Sequence, residues 1–216
     1  MFSNKTLLFV LSTLFTGALA SPIPAPNTGC AAVHIITARA STERPGEGII
    51  GAVVGDVVSR SKQTVSREAV DYPALLAPYQ SSQSTGVSAM KALLASKAAA
   101  CPNTKIVLMG YSQGAHVSGD VLQANAPGTD KVAAVVLMGD PAHVRGESFQ
   151  KGTGNARNGL FARRAGTLEP QAAKIVSFCD TGDLFCAGGA STIIHLGYAT
   201  KYKTAASNFV LDKIGG

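Results

Sequence analysis

The sequence predicts an α/β fold, a three-layer αβα sandwich around a central, mostly parallel sheet of five strands. Three observations lead there. Short apolar runs alternate along the chain with segments whose apolar residues recur at helical spacing. The runs are apolar almost throughout rather than at every second residue, as expected of parallel strands covered on both faces. One run passes through Gly110-Tyr-Ser-Gln-Gly114 directly into a helical pattern.

In chain order, Ala31 to Ala38 (AAVHIITA) reads as the first strand. Gly48 to Arg60 places Ile50, Val53, Val54, Val57 and Val58 at helical spacing. Thr64 to Val70 reads as a second strand. Ser84 or Thr85 can cap a helix that runs to about Ala99, with Val87, Met90 and Leu94 on one face. Lys105 to Met109 (KIVLM) is a strand, and Gln113 to Asn125 is a helix stopped near Pro127. Lys131 to Met138 and Ala173 to Phe178 supply two more strands. Tyr198 to Ile214 is the last helix, with Tyr202, Ala205, Ala206, Phe209 and Val210 facing inward. Between Asp140 and Pro170 the pattern dissolves into Gly, Asn and Arg, and a long surface loop is expected there.

The 216 residues suit one domain with a sizeable core, and 46% apolar content excludes a disordered chain. Residues 1–20 read as a secretory signal peptide, with a basic start at Lys5, an apolar run from Leu7 to Phe15 and a small-residue site at Ala18-Leu19-Ala20. The apolar run is too short for a membrane span, which needs about 20 residues. Residues 21–28, with three prolines, form an extended leader, and 29–216 form the single folded domain. The formal charge of +6 becomes +5 once residues 1–20 are removed, since they hold Lys5 and no acid. The bases are scattered, and no aromatic residues interleave with a basic run, so nucleic-acid binding is not expected. Four cysteines in an exported chain suggest two disulfides. Three connectivities are possible. Cys179 and Cys186 are close enough in sequence to close a small loop, which leaves Cys30 with Cys101 just ahead of two predicted strands. The spacings fit no common zinc pattern.

Gly110-Tyr111-Ser112-Gln113-Gly114, between a strand and a helix, matches the G-x-S-x-G nucleophile elbow of α/β-hydrolases. The sharp turn lifts Ser112 above the C-terminal end of the sheet, and the glycines avoid collisions that side chains would cause. The Gln113 N–H, at a helix N-terminus, is placed to donate to an oxyanion. A serine hydroxyl needs a base and the base an orienting acid, which in this fold follow in the order Ser, acid, His. His195, after the last strand and before the last helix, is the expected base. His116 lies one turn beyond the elbow and reads as packing or surface; His143, after Asp140-Pro141, is a second candidate. Asp180 and Asp183, both within the loop Cys179–Cys186, are the candidate acids, with Asp140 arriving one strand too early. Spacing alone does not choose between Asp180 and Asp183.

Taken together, Ala38-Arg-Ala-Ser-Thr-Glu43, Gly110-Tyr-Ser-Gln-Gly114, Met138-Gly-Asp-Pro141, Cys179-Asp-Thr-Gly-Asp-Leu-Phe-Cys186 and His195-Leu-Gly-Tyr198 make the chain resemble the cutinase family, which includes cutinases and small acetylxylan esterases. The resemblance runs from Cys30 to Ile214. It implies Ser112, Asp183 and His195 as the catalytic triad, and an oxyanion hole from the Gln113 amide and the amide and hydroxyl of Ser41. It also implies disulfides Cys30–Cys101 and Cys179–Cys186, and acyl transfer without metal or organic cofactor. The expected protein is a secreted, monomeric carboxylic ester hydrolase acting on plant cell-wall or cuticle esters, with no nucleic-acid or membrane partner. Met138-Gly-Asp-Pro141 and Asp71-Tyr-Pro-Ala74 lean toward acetylxylan esterases. The acidic loop and the apolar pair Ile193-Ile194 lean toward cutinases, and four cysteines are fewer than small acetylxylan esterases often carry. Ala74 to Tyr79 and Ile193-Ile194 form either an apolar rim for a longer acyl chain or ordinary core. A non-catalytic secreted binding protein on the same fold is the alternative of another class, disfavoured by the intact candidate triad. A lipase with an apolar lid is a minor one, since no lid segment is evident.

Overall fold

The structure is a computed structural model that describes Met1 and residues 29–216. The expected signal peptide and leader, 1–20 and 21–28, lie outside the described residues apart from Met1. Among the described residues six strands form one sheet: β1 (Val33–Ala38), β2 (Val65–Ala69), β3 (Lys105–Tyr111), β4 (Val132–Met138), β5 (Gln150–Lys151) and β6 (Ile175–Phe178). Their order is β2-β1-β3-β4-β6-β5, and every pairing is parallel. The central strands β1, β3 and β4 are buried on both faces, which is why their sequences are continuously apolar.

Among the described residues the α-helices are α1 (Gly51–Arg60), α2 (Tyr79–Ala100), α3 (Gln113–Gln123), α4 (Thr192–Leu196), α5 (Tyr198–Lys201) and α6 (Lys203–Ile214). On one face, Val53, Val54 and Val57 of α1 and Val210 and Ile214 of α6 pack on Ile35, Met109 and Val136. On the other, Met90 and Leu94 of α2 and Val117 and Val121 of α3 pack on Ile36, Leu108 and Val135. These are the three layers expected.

Several details differ from the sequence reading. The sheet has six strands rather than five. β5 is only two residues long, too short to leave a periodic signal, and is held by its pairing with Ser177 and Phe178. The segment between Asp140 and Pro170 is less of a surface loop than expected. Ala142, His143, Val144, Phe149 and Leu168 are buried in it. α2 begins at Tyr79, not at Ser84 or Thr85, with Pro78 at its N-cap. The last helix is interrupted at Tyr202, and Ala205 is exposed rather than inward. Val58 also faces solvent.

Cys30 is bonded to Cys101 and Cys179 to Cys186. The first bridge ties the segment entering β1 to the one entering β3, its neighbour in the sheet. The second closes the loop after β6. Each closure lowers the entropy of the unfolded chain, typically stabilising by about 2–4 kcal/mol.

Candidate active site

β3 ends in the elbow. Ser112 adopts φ 53° and ψ −119°, a left-handed backbone in which a serine is strained by about 1–3 kcal/mol. Its N–H is anchored to the Met138 carbonyl at 2.8 Å. The flanking glycines are required by close approach. A Cβ at position 110 would lie 2.1 Å from the Gly114 oxygen, and one at 114 would lie 1.9 Å from the Ala38 oxygen. The second contact lets α3 sit against the end of β1. Because β1 and β3 are neighbours, with Ala38 opposite Gly110, the loop after β1 and the elbow share one mouth.

His195 lies in α4, a short helix that the sequence reading left out; Ser191 caps it by accepting the Ile194 N–H at 3.2 Å. Its Nε2 is 2.8 Å from Ser112 Oγ, and its Nδ1 is 2.8 Å from Asp183 Oδ2. Asp183 is fully buried, and its second oxygen accepts the N–H groups of Phe185 at 2.6 Å and Cys186 at 2.9 Å. Burial pushes this carboxyl up. The hydrogen bonds from His195, the Cys186 amide and Tyr198 outweigh burial and leave it below the ordinary carboxylate range. It is a charged acceptor in a dry position, suited to orienting an imidazole and stabilising its cation.

The structure separates the other candidates from this chain of hydrogen bonds. Asp180 turns away and is bonded to Lys201 Nζ at 2.7 Å, the Tyr202 hydroxyl at 2.8 Å and the Thr153 N–H at 3.0 Å. The tight turn in which Asp183 N–H donates to the Asp180 carbonyl sends the two carboxylates in different directions. Asp140 is paired with Arg163 at 2.5 Å. His116 is buried between the Tyr79 hydroxyl at 3.1 Å and Asp120 at 3.3 Å. His143 is buried, and neither ring nitrogen makes a hydrogen bond. Arg163, half of the only arginine doublet, is no surface contact for a polymer. Its side chain is 5% exposed and bridges Asp120 at 2.7 Å and Asp140.

Two tyrosines that the sequence reading gave no role support the site. Tyr198 donates its hydroxyl to Asp183 Oδ2 at 2.8 Å and accepts the Asp180 N–H at 2.8 Å. Tyr111 donates to the His195 carbonyl at 2.5 Å. Tyr198 was visible as the end of His195-Leu-Gly-Tyr198, one turn beyond the base. Tyr111 occupies the variable position of the elbow, where a pattern gives no role. Gly139 completes the packing: a Cβ there would lie 2.8 Å from the His195 ring.

A cavity of about 280 Å³ opens over Ser112 and His195. Ser41 lines it, and its Oγ is buried without a hydrogen-bond partner. Ile49, Leu76, Tyr79, Phe185 and Leu196 supply apolar wall. Leu76 is 56% exposed, Leu196 60% and Ile193 83%, so Leu76 and Leu196 form a rim rather than core. Ala74, by contrast, is buried. Among the described residues no cluster of three or more His, Cys, Asp or Glu could hold a metal ion, and no helix is long and apolar enough to cross a membrane.

A parallel αβα sandwich with a serine on a strained strand-to-helix elbow, hydrogen-bonded through histidine to a buried aspartate, defines an α/β serine hydrolase. The cutinase family model matches residues 29–214, and the chain belongs to that family of carboxylic ester hydrolases. It is 36% identical to acetylxylan esterase 2 of Talaromyces purpureogenus, over 96% of this chain and 98% of that protein. It is 32% identical to cutinase 11 of Verticillium dahliae, over 86% of this chain and 70% of that one. Its fold matches the catalytic core domain of acetyl xylan esterase from Trichoderma reesei with a TM-score of 0.80, at 31% identity, covering 85% of this chain and 99% of that one.

Proposed function

We propose that this chain is a secreted, monomeric serine esterase that removes acetyl groups from plant cell-wall xylan. The observation that carries the reading is the continuous hydrogen-bonded chain Ser112–His195–Asp183, with links of 2.8 Å each, at the floor of an open cavity. His195 takes the Ser112 proton as Oγ attacks the ester carbonyl. Asp183 holds the imidazolium that forms. The Gln113 amide and the amide and hydroxyl of Ser41 receive the developing oxyanion. His195 then protonates the leaving alcohol, and a water molecule activated by the same histidine releases the acid. Every proton in this cycle moves between side chains of the chain, substrate and water.

The acetyl preference is supported by the relatedness to acetylxylan esterases over nearly the whole chain. The two disulfides fit an extracellular protein, and a signal peptide cut after Ala20, ahead of a single domain from residue 29, provides the export route. One observation favours a second reading, a cutinase: the exposed apolar rim of Leu76 and Leu196 at the mouth of the cavity, which suits a longer acyl chain. Hydrolysis of p-nitrophenyl esters from acetate to palmitate separates the two. A kcat/KM maximum at acetate, with release of acetate from acetylated xylan, is expected. A maximum at butyrate or longer, with no action on xylan, would transfer the assignment to cutinase.

A further inference from the structure

We infer that Glu43 is the positioning residue of the oxyanion-hole loop, acting on catalysis through Ser41 without touching the substrate. The inference rests on the reading of Ser41 as an oxyanion donor. Ser41 Oγ has no partner of its own, so nothing but the backbone of its loop aims it. That backbone is a tight turn, Ala40 to Glu43, closed by the Glu43 N–H on the Ala40 carbonyl at 3.4 Å. Within it Thr42 sits at φ 70°, an unfavourable region for a β-branched residue, and its N–H is tied to the Ala74 carbonyl at 2.7 Å. A turn held in such a conformation needs restraint from its surroundings.

Glu43 supplies it with both carboxylate oxygens. Oε2 accepts the Ala40 N–H at 2.6 Å, immediately before Ser41, and Oε1 accepts the Ile49 N–H at 2.7 Å, at the entry to the α1 layer. Charge-assisted bonds of this length are among the stronger ones available to a loop. Both oxygens are thereby engaged inside the protein, although the side chain borders the cavity. Gly48, at φ 64°, makes room: a Cβ there would lie 2.1 Å from Glu43 Oε2. Arg39 braces the other side. Its Nε donates to the Glu43 carbonyl at 3.0 Å and its Nη2 to the Tyr72 carbonyl at 2.5 Å, while the Tyr72 hydroxyl returns a bond to the Arg39 carbonyl at 2.6 Å. The carboxylate therefore joins the residue before the proposed donor to a fixed helical layer. Oxyanion donors act only when placed at about 3 Å from the developing charge, and displacement by about 1 Å costs on the order of 100-fold.

Glu43→Gln keeps the shape of the side chain but turns an NH₂ donor toward one of the two N–H groups. With p-nitrophenyl acetate, kcat is expected to fall about 10-fold while KM stays within about twofold, because the donor is needed in the transition state. Ser41→Ala is expected to lose about 10²- to 10³-fold in kcat. In the Ser41→Ala background, where only the backbone N–H at position 41 is left to be aimed, Glu43→Gln is expected to add a clearly smaller loss, about two- to threefold. Glu43→Asp, charged but too short to span both N–H groups, serves the same cycle if thermal unfolding shows the Gln variant is not folded. Equal losses from Glu43→Gln in both backgrounds, or an unchanged kcat, would overturn the positioning role while leaving the Ser41 assignment intact. A normal kcat in Ser41→Ala would overturn the oxyanion reading and this inference with it.

Discussion

Replacing Ser112 by alanine is expected to lower kcat for p-nitrophenyl acetate by about 10⁴- to 10⁶-fold with KM little changed. The size of the loss follows from how the site divides its labour. Oγ lies 2.8 Å from His195 Nε2, and the histidine in turn has its other nitrogen committed to Asp183. Removing any member breaks the same unit. His195→Ala should therefore cost about as much as Ser112→Ala, and the double variant no more than either, a signature of residues acting together. Asp183→Asn is expected to cost about 10⁴-fold, because an amide in place of the carboxylate favours the wrong imidazole tautomer. What rate survives belongs to substrate binding and the oxyanion donors. Comparable activity in Ser112→Ala and the unaltered protein would remove the nucleophile assignment.

The largest expected effect on stability lies outside the triad, at Arg163. Its buried guanidinium bridges Asp120 on α3 and Asp140 after β4, and also donates to the His116 carbonyl at 2.8 Å. It pins the 140–170 segment to the helix that begins at the elbow. Burial works against its charge, but the two aspartates outweigh burial and hold it protonated. Arg163→Ala leaves Asp140, 2% exposed, without its counter-charge. A loss of about 3–5 kcal/mol is expected, roughly 10 °C in Tm. Guanidinium unfolding curves measure it, and a loss below about 1 kcal/mol would contradict the account. The same network has an acid limit. Burial raises the Asp120 pKa, but His116 and Arg163 together lower it, leaving it at about 2 against an ordinary 3.8. A depressed carboxylate stabilises the fold above its unfolded pKa and loses that contribution as pH falls through its folded one. The stability gap between the unaltered protein and Asp120→Asn is therefore expected to narrow by about 2 kcal/mol as pH falls from about 4 to about 2.

The parts of the molecule that were legible in sequence are those where one physical demand dominates. β1, β3 and β4 must be apolar on both faces, and their runs announce it. The elbow requires glycine at 110 and 114 because backbone occupies the space a Cβ would take. Arg163 was illegible for the opposite reason. A buried guanidinium paired with two aspartates has the same sequence appearance as its exposed neighbour Arg164, and its partners lie 43 and 23 residues away. β5 escaped because two residues carry no period. His195 was located by chain order, but α4 around it was not, because five residues capped by Ser191 are too few for a helical pattern. Spacing also left Asp180 and Asp183 equivalent. The distinction is made by a turn that sends one carboxylate to Lys201 and Tyr202 and the other beneath the imidazole.

Covalent labelling tests the central claim most directly. The folded protein would be treated with a p-nitrophenyl alkylphosphonate, which phosphonylates an activated serine with loss of p-nitrophenol, and then digested and mapped by mass spectrometry. One phosphonyl group per chain is expected, on the peptide carrying Ser112, with loss of esterase activity in step with labelling and no label in His195→Ala on the same timescale. Absence of label on Ser112, or label on another residue tracking the lost activity, would mean that the elbow serine is not the nucleophile and would return the chain to a non-catalytic binding role or to a different active centre.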